Sequence, residues 1–105
     1  YPEQLKQRIE KQCLSPLYLA DKTTLINIME MVSGLFLSKD IVYQNGKPAY
    51  LVDLAKAFEW LFNIKIGDCY QKHEDVIKRK PGKLTGFLNG LVELIKKEHD
   101  KKGYR

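Results

Sequence analysis

Apolar residues recur at helical spacing in three stretches of this chain, and the densest lies at its centre. Leu51, Leu54, Ala55, Phe58, Leu61 and Phe62 follow an i, i+3, i+4, i+7 pattern that predicts a buried helix over 51–62. Asn63 to Gly67 breaks the pattern. Asp68 then opens a second helical run, with Gln71 three residues on, a capping-box spacing with Asp in place of Ser or Thr. That run ends in Lys78, Arg79 and Lys80 and is stopped by Pro81-Gly82, predicting a helix over 68–80. A buried helix, a short glycine-containing turn and a more polar helix with a basic end have the outline of a helix-turn-helix, whose second helix enters the DNA major groove. Helical proteins that never touch DNA share that outline.

The flanks add further helices. Residues 2–13 offer one narrow apolar stripe, Leu5 and Ile9, among charges, so this helix needs another surface to pack on. Ser15-Pro16 ends it, and Leu17 to Leu19 form a connector. Asp21 is the expected N-cap of a helix running to about Leu37, with Leu25, Ile28, Met29, Val32, Leu35 and Phe36 on its apolar face and Gly34 weakening its end. Met29 and Met31 read as core gap-fillers. Ile41 to Gln44 is β-prone, Asn45-Gly46 is a strong hairpin signal, and Pro48 removes a ladder donor. These residues predict at most one short β-hairpin near 41–50. After Pro81-Gly82 a last helix starts near Lys83 or Leu84. Leu84, Phe87, Leu88, Leu91, Val92, Leu94 and Ile95 are its expected buried stripe, and Gly86 and Gly90 predict close helix packing. The expected fold is mainly α: a compact five-helix domain with a helix-turn-helix core. Residues 1–19 form an N-terminal helix and connector that pack on an upstream region, and 20–105 form the domain itself.

Composition narrows the class. The chain has 105 residues, enough for one domain with a core of its own. No apolar run approaches membrane-spanning length, so no membrane partner is expected. The sequence begins at Tyr1 without a methionine and is read as a domain of a longer protein. Cys13 and Cys69 form no C-x-x-C pair, and His73 and His99 lie at no zinc spacing from them. Reduced thiols and a cytoplasmic location are therefore expected. Net charge is +5, and its placement is uneven. Residues 1–64 hold seven Lys and Arg against seven Asp and Glu, whereas residues 65–105 hold eleven against six. The entire excess lies in the C-terminal part, which suits an anionic partner.

Catalytic patterns are missing. There is no phosphate-binding loop, no G-x-S-x-G elbow and no H-E-x-x-H. Cys69 and His73 share a helix face, with no acid placed to orient the histidine. The chain is expected to be no enzyme, with no cofactor, no metal and no small-molecule substrate. What remains is a cationic sequence. Lys72, Lys78, Arg79, Lys80 and Lys83 are the candidate phosphate contacts, Lys72 and Arg79 being seven apart on one face. Gln71, His73 and Asp75 are the candidate base contacts.

The run Leu54-Ala55-Lys56-Ala57-Phe58-Glu59-Trp60-Leu61-Phe62-Asn63-Ile64, followed by Ile66-Gly67-Asp68-Cys69-Tyr70, resembles the C-terminal domain of the RteC family, regulatory proteins of tetracycline-resistance elements in Bacteroides conjugative transposons. Leu84-Thr85-Gly86-Phe87-Leu88 and Lys22 to Ile28 extend the likeness over about residues 20–102. Where the family pattern has a tyrosine and a basic residue, this chain has Cys69 and Gln71. The resemblance implies a DNA-binding transcriptional regulator controlling genes of a mobile element, with a winged-helix fold whose recognition helix is 68–80. The hairpin at Asn45-Gly46 is the one wing-like element in the sequence.

Two functions thus stand open. The first is a regulatory domain that binds double-stranded DNA, in which charge reversal at Arg79 and Lys80 abolishes binding and spares the fold. The second is a helical interaction or dimerisation domain without DNA contact, pairing with itself or with an upstream domain. Pairing of Arg79 or Lys80 with an acidic side chain favours the second.

Overall fold

The computed structural model describes residues 14–103. The helix expected over 2–13 lies outside the described residues. Within them the protein is mainly helical: α1 (Leu25–Ser38), α2 (Leu51–Phe62), α3 (Cys69–Ile77), α4 (Pro81–Leu84) and α5 (Gly86–Lys101), with no sheet.

Helix α1 is the hub. It packs on α2, α3 and α5, and α2 also packs on α3. Ile28, Met29 and Val32, at i, i+1 and i+4, are fully buried against Leu51, Leu54 and Ala55 of α2, Cys69 and Val76 of α3, and Ile66 of the intervening turn. Each such aliphatic side chain contributes about 1.5–3 kcal/mol by leaving water. Asp21 does not cap α1. It sits in a turn closed by the Thr23 N–H on the Ala20 carbonyl (2.9 Å), and Thr24 is the N-cap. Gly34 marks where α5 packs on α1: a Cβ there would lie 3.8 Å from Leu88 Cδ1, an ordinary van der Waals contact that the packing would accommodate.

The segment after α1 forms the expected hairpin in minimal form, a single antiparallel bridge between Val42 and Pro48. Gly46 alone takes a positive φ (86°), and its N–H reaches the Tyr43 carbonyl at 2.8 Å. Tyr43 fastens this hairpin to α2. Its hydroxyl donates to the Asp53 carboxylate and accepts the Tyr50 N–H at 3.0 Å, and the Asp53 bond raises the phenol's pKa above the ordinary tyrosine value.

The C-terminal region departs most from expectation. The expected continuous helix is interrupted at Thr85 (φ −123°, ψ 30°). Pro81 begins the short α4, at the first helical position where its missing N–H removes no bond. Of the expected stripe, Leu84, Phe87, Leu88 and Leu91 are half-buried, while Val92, Leu94 and Ile95 are exposed, and α5 contributes no fully buried residue. Gly86 and Gly90 face open space, so they mark no close helix contact.

Candidate nucleic-acid interface

The turn between α2 and α3 sets the geometry of the cationic region. Asn63 ends α2 in the left-handed conformation (φ 53°). The Ile64 N–H returns to the Glu59 carbonyl (3.0 Å) and the Asn63 N–H to the Trp60 carbonyl (3.4 Å), a Schellman closure with Asn at the position glycine usually takes. The Asn63 amide donates to the carbonyls of Ser15 (2.7 Å) and Leu17 (2.9 Å), tying the connector to the turn. Glu59 accepts the Ile66 N–H at 2.6 Å and holds Ile66 in the core. Gly67 (φ 77°) then redirects the chain, and Asp68 caps α3 by accepting the N–H groups of Tyr70 (3.1 Å) and Gln71 (3.2 Å). Only half of a capping box forms, because the Gln71 side chain donates to Asp75 (3.0 Å) instead of turning back.

Helix α3 ends at Ile77, three residues before the expected Lys80. Lys80 is extended (φ −62°, ψ 145°), as the residue before a proline is forced to be. The expected site residues divide accordingly. Lys78, Lys80 and Lys83 are exposed around the end of α3 and along α4, with Lys72 half-buried one turn back. Lys78 lies 3.5 Å from Asp75. Gln71 and Asp75 are bonded to each other on the outer side of α3, and that amide bond, with help from Lys78 and Lys72, holds the Asp75 carboxyl below its ordinary pKa. Asp75 therefore stays ionised at neutral pH.

Two expected contacts are engaged inward. His73 lies on the same face as Cys69 and Val76. Its Nδ1 is 2.8 Å from the hydroxyl of buried Ser33, and its ring meets Phe36 edge-on at 5.7 Å. Arg79, 22% exposed, pairs with Glu30, whose side chain is 2% exposed, through an Nη1–Oε1 contact of 2.8 Å. It also donates to the Lys83 carbonyl at 3.2 Å. The second Glu30 oxygen accepts the Leu88 N–H at 2.7 Å. Leu88 is the third residue of α5, so this carboxylate does the work of an N-cap from another helix, where the helix dipole favours negative charge. Glu30 thus joins α1, the end of α3, α4 and the start of α5.

Sequence reasoning missed Glu30 and Tyr70. A single acid inside the apolar run Ile28-Met29-Glu30-Met31-Val32 was the available signal for the first. Tyr70 is exposed beside Gln71, on the side of α3 away from the core, and its register with Glu74 and Ile77 was the signal for the second. Among the described residues no group of three His, Cys, Asp or Glu side chains could hold a metal ion, and no helix is long and apolar enough to cross a membrane.

The family model described as RteC protein matches residues 4–102, nearly the whole chain. No curated protein and no solved structure matches it.

Proposed function

We propose, since this chain belongs to the RteC family, that it is a DNA-binding transcriptional regulatory domain controlling genes of a mobile genetic element, cytoplasmic and without catalytic activity. In this reading α2 and α3 act as a helix-turn-helix with α3 as recognition helix, and the hairpin at 41–49 is its wing-like element. Lys72, Lys78, Lys80 and Lys83 contact phosphates and fix the register, while Gln71 and Asp75 offer hydrogen-bonding groups to base edges. Arg79 and His73 leave the contact set, because their polar atoms serve Glu30 and Ser33.

The observation that carries the reading is the exposure of Lys78, Lys80 and Lys83 together at the end of α3. A fluorescence-anisotropy titration with random duplex DNA tests it. With four phosphate contacts, affinity should fall about 150-fold between 50 and 200 mM salt, from a slope of roughly −0.9 per contact. Lys80→Ala/Lys83→Ala should lower the slope by about 2. Absence of binding at low salt refutes the reading. The rival, an interaction domain without DNA contact, draws support from the Arg79–Glu30 pair, and that same result would favour it.

A further inference from the structure

Among the described residues, helix α5 presents an apolar face, half-buried at its start and exposed toward its end, that continues an unfilled groove. Leu88, Leu91 and Ile95, at i, i+3 and i+7, share one side of the helix. At its start, Leu88 joins Leu37, Gly34, Ile77 and Leu84 around an apolar groove of about 210 Å³. Toward its end, Leu94 (65%) and Ile95 (72%) stand in solvent. An engineered cavity of ~150 Å³ holds one benzene, so this groove has room for roughly two aliphatic side chains.

We propose that two copies of this chain associate through α5, the helices antiparallel about a two-fold axis near Leu91. Leu94 and Ile95 of each copy then fill the groove of the other. The fit follows from the spacing along a single helix. Groove-lining Leu88 and protruding Ile95 are seven residues apart, about 10.5 Å along the axis, on one face. An antiparallel copy centred between them brings each protrusion over the opposite groove in both directions at once. Such an interface is isologous and closes at two copies, with no end left to propagate. In that register Glu98 faces the Lys83–Leu84 segment of the second copy, and no acid faces an acid. Full burial of the exposed parts of Leu37, Ile77, Val92, Leu94 and Ile95 would remove at most about 1,000 Å² over the two copies, the threshold for a specific interface, so the association is a weak one. The association requires no DNA and stands apart from the regulatory reading.

Sedimentation equilibrium on the full 105-residue chain, from about 1 µM to about 1 mM, spans the range over which an interface of this size should assemble. The mass should rise from 12.2 kDa toward twice that value. Ile95→Glu, at an exposed position, should shift assembly at least 100-fold to higher concentration with its thermal midpoint unchanged, and Ile77→Glu across the interface should do the same. A wild-type chain that stays monomeric throughout overturns the proposal. So does a dimer that survives Ile95→Glu, which places the contact elsewhere. A monomeric wild type whose melting point falls on Ile95→Glu also overturns it, because the face is then covered within the chain itself.

Discussion

Removing the positive partner of Glu30 should destabilise the protein far more than removing the pair. In Arg79→Leu the Glu30 carboxylate, 2% exposed, keeps the Leu88 N–H but loses its counter-charge. Breaking a buried pair from one side costs about 3–5 kcal/mol. Glu30→Leu strands the other half. Arg79 is 22% exposed and keeps the Lys83 carbonyl, so part of its hydration returns. That variant should lose about 2–3 kcal/mol, of which about 1 reflects the uncapped Leu88 N–H. In Glu30→Leu/Arg79→Leu no charge remains buried, and about 1–2 kcal/mol should be lost, chiefly that cap. The two single losses would sum to at least about 5 kcal/mol, so the cycle should show a coupling of about 3 kcal/mol or more. Urea unfolding followed by far-ultraviolet circular dichroism reads this directly. With a slope of about 1–1.5 kcal/mol per molar for a chain this small, Arg79→Leu should lower the midpoint by ~2–5 M. Additive single effects, or an Arg79→Leu loss below about 1 kcal/mol, would show that the pair does not hold the helices together. On the same ground charge reversal at Arg79, which sets two acids against each other beside the core, should unfold the protein, whereas the sequence alone predicts that the fold is spared.

Three smaller perturbations address the turn and the outer side of α3. Asn63→Gly keeps the left-handed cap but removes both amide bonds to the connector, so thermal denaturation should reveal a loss of about 1–2 kcal/mol; no change would make those bonds idle. Gly67→Ala meets no neighbouring atom, so its cost of about 1 kcal/mol should be purely that of a side chain at positive φ, and Gly67→Asn should recover part of it in the same melts. The carboxyl of Asp75, followed by NMR, should titrate below an ordinary aspartate and move upward in Gln71→Ala. Since its folded pKa is depressed, its contribution to stability is present above about pH 4 and fades as the pH falls through the folded value.

The turn at 63–68 was legible because its chemistry is local. Asn and Gly at left-handed positions, and Asp one residue before a helix, signal their backbone conformations without reference to anything distant. The apolar face of α2 and the inner face of α1 were legible for the same reason, since periodicity reports which side of a helix is buried. Periodicity does not report what does the burying. Leu94 and Ile95 carry the same signal as Leu54 and Phe58, yet the described chain leaves them in solvent. The basic end of α3 misled in a related way. Lys78, Arg79 and Lys80 are alike in sequence, but Arg79 alone turns toward an acid 49 positions earlier, a pairing set by the packing of α1 on α3. The family, by contrast, was readable from the F-N-I-x-x-G-D block, which is the turn itself.

Because the partners of Glu30 come so late in the chain, the side of α1 that carries it closes only once the C-terminal helices have been made. Arg79 follows by 49 residues and Leu88 by 58. At about 5–20 residues per second, roughly 3–12 s separate the appearance of the acid from that of its last partner. Glu30 lies on the side of α1 that meets the end of α3 and the start of α5, so α1 can close on α2 early while that other side stays hydrated until Arg79 and Leu88 emerge. Translation beyond Leu88 is then the event that lets the Glu30 side of α1 dry, and a transcript cut short before that codon would leave the carboxylate without its last partner and open to water.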